Sequence, residues 1–430
     1  MKMLHAFLTV SGTVFVLLTA AYLYQVFYMI VGLAYRRGKK KHGLEPVKLL
    51  NYGVFISARN EQSVIGELIE SIKSQTYPQD KIKIFVMADN CTDGTARAAR
   101  DAGVVVYERH SETKKGKGYA LDELYRRVVH DYGHNAFDGF FVFDADNILD
   151  KNFITEMNRT FASGNYDCVT SYRNSKNFGT NWITASYSIW FLREARYMNL
   201  PRYLLGTSCM ISGTGFLVSS QLLEENGGWP YHLLTEDIEF SVNCAFKGKR
   251  IGYCDGAILY DEQPVTFSQS WEQRLRWSKG FFQIDFRYIP DLVKGCFTAK
   301  KNRHSCYDVL MTVAPASLVT IGMIIYHIIF FIFASGLGTY YRAILWGIAA
   351  QSLVFGAISF YAGLLLIGII TVATEWKRIR ATTLQKIIYL PLFPIFQATY
   401  LPLTIEALFK KVEWKHIEHH SVEQLAEVGK

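Results

Sequence analysis

The chain has 430 residues, half of them hydrophobic and 15% aromatic, and a formal charge of +8. That length exceeds one average domain, and the apolar content gathers at both ends, which sets the chain apart from an ordinary soluble enzyme. The basic excess lies beside apolar segments rather than in a stripe of its own, so membrane topology accounts for it better than nucleic-acid binding.

Phe7 to Tyr35 is almost wholly apolar, with Gln25 the one strongly polar interruption. The run exceeds the roughly 20 residues needed to cross a bilayer and is too long for the apolar region of a signal peptide. Arg36, Arg37, Lys39, Lys40 and Lys41 follow it. Such a cluster stays in the cytosol, which puts the N-terminus outside and the next domain inside. The seven cysteines are scattered and form no CxxC pair, so they support neither a zinc site nor a disulfide framework.

Short apolar runs follow at Tyr52 to Ser57, Lys83 to Ala88, Val104 to Tyr107 and Gly139 to Asp144, with helical patterns between them. Strands alternating with helices predict an α/β domain with a parallel sheet, whose ligands bind at the carboxyl ends of the strands. Three polar clusters stand at those ends: Ser57-Ala58-Arg59-Asn60-Glu61, Asp89-Asn90-Cys91-Thr92-Asp93, and Asp144-Ala145-Asp146. Two carboxylates closing a buried strand repel each other unless a cation offsets them, and Mg²⁺ or Mn²⁺ shared with a diphosphate suits that need. Asp146 as a helix N-cap is the competing reading. Lys114 to Gly118 reads either as a phosphate cradle at a helix start near Tyr119 or as an ordinary basic loop.

Farther along, Thr235-Glu236-Asp237 offers either a general base or a helix cap. Gln273-Arg274-Leu275-Arg276-Trp277 lies in an aromatic, amphipathic stretch that alone reads as an interfacial helix with arginines toward lipid head groups. Val309 to Phe333 and Ala343 to Val372 are each long enough to span a bilayer. Ile387 to Phe409 is broken by Pro391, Pro394 and Pro402, and reads as a kinked span or a re-entrant hairpin. The tail carries His416, His419 and His420, for which solvation is the simplest expectation.

The order of these motifs resembles the processive family-2 glycosyltransferases: cellulose, hyaluronan, chitin and poly-N-acetylglucosamine synthases. The resemblance covers roughly Asn51 to Phe282, and the Thr235-Glu236-Asp237 to Gln273-x-x-Arg276-Trp277 series is its specific part. It implies a GT-A (Rossmann-like) cytosolic domain at 44–265, a transmembrane helix at 1–36, interfacial helices at 266–303, a membrane region at 304–411 and an exposed tail at 412–430. It also implies residue roles. Ala58, Glu61, Asp89 and Lys117 would contact the nucleotide, and Asp144 and Asp146 the metal, with Asp146 the direct ligand. Asp237 would be the base, supported by Glu236. Gln273, Arg276 and Trp277 would lie beside the diphosphate and the acceptor sugar. The implied reaction is an inverting transfer from a UDP-sugar, with Mg²⁺ or Mn²⁺, onto a β-linked polysaccharide that is then exported. The implied setting is the plasma membrane of a bacterium, with membrane lipids as neighbours and no nucleic-acid partner. One apolar span precedes the catalytic region where several relatives have two, and the Asp89 cluster departs from the common pattern. A single transfer to a lipid acceptor is the alternative. A channel with a regulatory domain is a remote one, since it calls for charges within the spans.

Overall fold

The structure, a computed structural model, describes residues 2–35, 47–164, 166–299, 302–412 and 419. The basic residues 36–41 and histidines 416 and 420 lie outside these. Eight strands form one sheet: β1 (Tyr52–Ala58), β2 (Ile82–Asp89), β3 (Val105–Arg109), β4 (Gly139–Asp144), β5 (Ile148–Leu149), β6 (Cys168–Ser175), β7 (Phe216–Ser219) and β8 (Ile251–Asp261). Their order is β3-β2-β1-β4-β7-β6-β8-β5. β1, β2, β3 and β4 pair in parallel, as do β6 and β8, while β7 runs antiparallel to β4 and β6. This is the expected GT-A fold with a mostly parallel sheet.

The central strands are apolar through their middle positions because both faces are covered. On one face Val54, Ile56, Phe141 and Phe143 pack against Ile65, Leu68, Ile69 and Ile72 of the helix Ile65–Lys73. On the other, Phe55, Phe140 and Val142 pack against Ala120, Leu121, Leu124 and Val128 of the helix Lys117–Tyr132. Each fully buried aliphatic or phenyl side chain contributes roughly 1.5–3 kcal/mol. The parallel half of the sheet thus places the ends of β1, β2 and β4 rigidly along one edge.

The helix Trp182–Glu194 starts at a capping box, with the Asn181 side chain accepting from the amides of Ile183 and Thr184. It runs into a π-helical turn, Ala195–Asn199, and a short helix, Leu200–Leu204. Such turns re-aim side chains and recur at functional sites. The interfacial region is one helix, Phe267–Thr298, opened by Thr266 and carrying Pro290 inside. It does not lie bare on a membrane. Arg274 is fully buried, with its guanidinium 4.1 Å from the ring of Phe396 and 5.2 Å from that of Tyr400.

Among the described residues three helical stretches are long and apolar enough to cross a membrane: Gly12–Ala34, Thr339–Glu375 and Leu392–Phe409. The helix Arg303–Ser335 buries Cys306, Val309 and Val313 of its N-terminal part against Ile284, Tyr288 and Leu292. The proline-broken segment folds as Thr383–Ile388, Leu392–Ala398 and Tyr400–Phe409. Phe396 packs with Ile183, Tyr187 and Phe191, and Leu403 and Ala407 with Leu275 and Phe282, so this segment lies on the catalytic domain.

Buried polar ties join the apolar helices to that domain. Arg202 donates to both carboxylate oxygens of Asp308 at 2.8 Å, and the Tyr28 hydroxyl donates to Asp308 at 2.9 Å. Glu375 accepts from the Tyr172 hydroxyl at 2.6 Å and pairs with Arg196 at 3.6 Å. Removing one partner of such a pair costs roughly 3–5 kcal/mol.

Candidate active site

The ends of β1, β2 and β4 open onto a continuous cavity of about 2160 Å³, which reaches past the sheet edge to the apolar helices. Sites for single small ligands usually measure roughly 300–1,000 Å³, so there is room here for more than one substrate.

Two asparagines shape the strand-end loops. Asn60 and Asn90 have φ of +58° and +53°, a left-handed conformation that asparagine tolerates better than most residues. Asn60 accepts from the Thr92 amide at 2.8 Å, and Asn90 from the Ser111 amide at 2.9 Å. Glu61 and Asp89 line the cavity beside these turns, together with Ser57 and Arg59. Ala58 is buried, is not among the lining residues, and its carbonyl accepts from the Cys91 thiol. Ser57 and Arg59, on either side of Ala58, do line the cavity. Arg109 pairs with Asp89.

His419 departs from the expectation of a solvated tail. Its Nδ1 lies 3.0 and 3.2 Å from the two Glu61 oxygens, and the Ser63 hydroxyl donates to its carbonyl. Burial pushes the Glu61 carboxyl up to about 7, with His419 opposing the shift. Burial works against charge on His419, but Asp146 and Glu61 outweigh it and lift the imidazole to about 10. No local sequence signal pairs positions 61 and 419.

Asp144 and Asp146 stand at the end of β4. The Asp144 carboxylate is part-exposed to the cavity and pairs with Lys117, which also donates to the Gly213 carbonyl at 2.7 Å. Asp146 is buried, accepts from the Glu262 amide at 3.0 Å, and lines the cavity. Burial pushes its carboxyl up, but His419, Lys176 and Arg173 outweigh that and hold it below the usual range. It caps no helix, because β5 follows and the next helix opens at Phe153. Arg173 braces the floor through Asp261 and donates to the Ser212 carbonyl at 2.8 Å. Sequence reasoning missed this arginine, whose partner lies 88 residues away.

Glu236 and Asp237 open the helix Glu236–Lys247. Thr235 precedes it but makes no side-chain cap, and its buried Oγ1 has no hydrogen-bond partner among the described residues. What holds this turn is the buried Glu239. It accepts from the amides of His232 and Leu233 at 3.0 and 3.1 Å and from the Tyr288 hydroxyl at 2.7 Å. The Gln273–Trp277 helix grips the same loop. Arg276 donates to the Leu234 carbonyl at 2.9 Å, and Gln283 accepts from the Leu234 amide at 3.1 Å. A Cβ on Gly118 would lie 2.0 Å from the Tyr231 carbonyl oxygen, so only glycine lets Lys117 enter beside Glu236. Burial, and then the Asp237 charge, pushes the Glu236 carboxyl up to about 7. Burial raises Asp237 as well.

Trp277 stands edge-on to Tyr187 and Phe191, with centroids 5.8 and 6.3 Å away, and lines the cavity with Gln273 and Arg276. The Gln273 Oε1 is buried without a hydrogen-bond partner among the described residues. One cavity thus collects paired carboxylates, a second carboxylate pair of raised pKa, several cations including Lys117 and Arg276, and an aromatic wall. Such an arrangement can bind a charged leaving group and take a proton from a nucleophile.

Known proteins share this design. The beta-monoglucosyldiacylglycerol synthase of Synechocystis is 25% identical over 55% of the chain and 48% of its own length. The poly-beta-1,6-N-acetyl-D-glucosamine synthase of Staphylococcus epidermidis is 22% identical over 66% of each chain. The chain thus spans about half the length of the first relative and about two thirds of the second. In fold it is similar to the mannosyltransferase PcManGT of Pyrobaculum calidifontis, solved with GDP-Man and Mn²⁺. That match has a TM-score of 0.52, 15% identity and coverage of 91% of this chain and 97% of the other. Residues 51–280, more than half of the sequence, match the family described as "Glycosyltransferase like family 2". The chain therefore belongs to that family.

Proposed function

We propose that the enzyme transfers a hexose or N-acetylhexosamine from a UDP-sugar to the end of a β-linked glycan, with inversion at the anomeric carbon. The observation that carries this reading is the meeting of Asp144, Asp146, Asp237 and Trp277 on one cavity. Asp237 takes the proton of the acceptor hydroxyl, whose oxygen attacks the anomeric carbon as the bond to the diphosphate breaks. The UDP leaves with the bonding electron pair. Glu236 keeps negative potential beside the base. Arg276, anchored at Leu234, turns its remaining N–H donors toward the diphosphate. Trp277 offers a flat apolar face to the acceptor sugar.

Asp144 and Asp146 would hold Mg²⁺ or Mn²⁺. Among the described residues no group of three or more His, Cys, Asp or Glu could hold a metal by itself, so two carboxylates plus substrate phosphates fit the ion. When bound, the ion neutralises the departing diphosphate.

The setting proposed is a bacterial plasma membrane, with the catalytic domain facing the cytosol as the basic residues 36–41 direct. A second reading, one sugar added to a membrane lipid, draws on the Synechocystis relative and on the cavity reaching the apolar helices.

The test is a screen of UDP-sugars with Mg²⁺ or Mn²⁺ on purified protein in vesicles, scoring UDP release and product size together. A ladder or high polymer supports chain extension, and a single glycolipid selects the second reading. UDP release that Asp237→Asn leaves unchanged overturns both.

A further inference from the structure

The cavity wall also carries a group of polar residues that the transfer chemistry does not use. Gln25, the lone strongly polar residue of the first apolar helix, accepts a 3.0 Å hydrogen bond from the Arg193 guanidinium. Arg193 lies 5.0 Å over the Trp190 ring, and Glu194 follows it where the helix passes into the π-helical turn. All four side chains line the cavity that holds Asp237.

Glu194 is the singular member. Its neighbouring cations are Arg202, Arg173 and Arg193, and each is engaged elsewhere: with Asp308, with Asp261 and with Gln25 respectively. Among the described residues Glu194 has no hydrogen bond or ion pair of its own, although it stands half-buried on the cavity wall. Burial pushes its carboxyl up, the three arginines opposing, so the group is held where water solvates it poorly. A carboxylate, a guanidinium and an amide together present several donors and acceptors. A lone alcohol such as that of a diacylglycerol would leave most of them unpaired, which a polar site penalises. A sugar ring, with hydroxyls around its rim and an apolar face for Trp190, satisfies them together.

The geometry points to Gln25, Arg193 and Glu194 as an acceptor subsite that binds the hydroxyls of a sugar already transferred, making the acceptor a glycan rather than a bare lipid. This rests on the glycosyl-transfer reading above and names its acceptor class.

The test uses full-length protein in nanodiscs with whichever of UDP-glucose and UDP-N-acetylglucosamine the wild type turns over. The acceptors are short β-linked oligosaccharides of that sugar and, separately, dioleoylglycerol. Glu194→Gln and Gln25→Leu, on different helices, are each expected to raise the oligosaccharide KM roughly tenfold, with the donor KM moving far less. The same substitutions should narrow the preference for oligosaccharide over dioleoylglycerol. A merely structural role would lower kcat for both acceptors alike. Unchanged oligosaccharide KM in both variants, or a wild type that prefers dioleoylglycerol, overturns the subsite while leaving sugar transfer intact. A wild type that releases no UDP from any UDP-sugar overturns the underlying reading instead.

Discussion

Arg276 donates a 2.9 Å hydrogen bond to the carbonyl of Leu234, two residues before Glu236, so the arginine of the Gln273–Trp277 motif holds the loop that delivers the base. Arg276→Ala removes both that clamp and a cation facing the leaving group. A loss of roughly hundredfold in kcat is expected. Arg276→Lys should recover only part of it, because one ammonium cannot replace a planar fork of donors. Steady-state UDP release decides, and a lysine variant at wild-type rate would remove Arg276 from this role.

Asp237 must be ionised to accept a proton, and burial raises its carboxyl. Activity should therefore fall with decreasing pH already above the usual aspartate range. Asp237→Asn should lower transfer by roughly 10²–10⁴ at every pH. A pH profile of kcat/KM that stays flat down into the ordinary aspartate range contradicts this assignment.

The same burial makes Glu236 a cost to the fold. Its carboxyl titrates near pH 4.5 when unfolded and is raised to about 7 in the native state. A raised carboxyl stabilises relative to its ionised form at low pH, and stability is lost as pH rises between those values. Glu236→Gln should raise the melting temperature at pH 8, corresponding to about 1–3 kcal/mol, and the gain should vanish at pH 4. Thermal melts at the two pH values measure it, and equal shifts at both refute the linkage.

Chelation of divalent ions should abolish UDP release, and added Mg²⁺ or Mn²⁺ should restore it. Asp146→Ala should not be rescued by either ion. Calorimetric titration of UDP with and without Mn²⁺ gives an activity-independent check: metal should tighten UDP binding in the wild type and not in the variant.

Gly280 supports the catalytic turn from behind. A Cβ there would lie 2.5 Å from Thr235 Oγ1, so Gly280→Ala must push the turn that leads into Glu236. Overpacking of this kind costs about 1–3 kcal/mol. kcat should drop while far-UV circular dichroism is retained, and Thr235→Ser, by removing a methyl 2.6 Å away, should restore part of the rate. Absence of any partial rescue would mean that the two residues do not couple.

The strands from Tyr52 to Asp144 were legible because strands covered on both faces read as unbroken apolar runs, and the clusters at their ends announced the edge on which a ligand sits. Gln25 was visible only as an interruption, and its partner Arg193 lies 168 residues away. Arg173 with Asp261 and Glu61 with His419 are equally remote pairs, for which no local periodicity exists. Arg274 misled for a different reason. An arginine on an amphipathic aromatic stretch reads as lipid-facing, and only the return of Phe396 and Tyr400 reveals that it is buried. The packing of Val309 and Val313 on Ile284 and Leu292 was likewise hidden within an apolar run that reads as a span.

The buried pair of Arg202 and Asp308, joined by Tyr28, has a practical consequence. These three residues come from the first apolar helix, the end of the π-turn segment and the helix that follows the catalytic region. Cutting away both apolar ends to obtain a soluble enzyme would leave Arg202 as an uncompensated charge inside the fragment. The apolar helices are thus tied to the catalytic domain by buried polar contacts, and a fragment lacking them is expected to lose roughly 3–5 kcal/mol of stability.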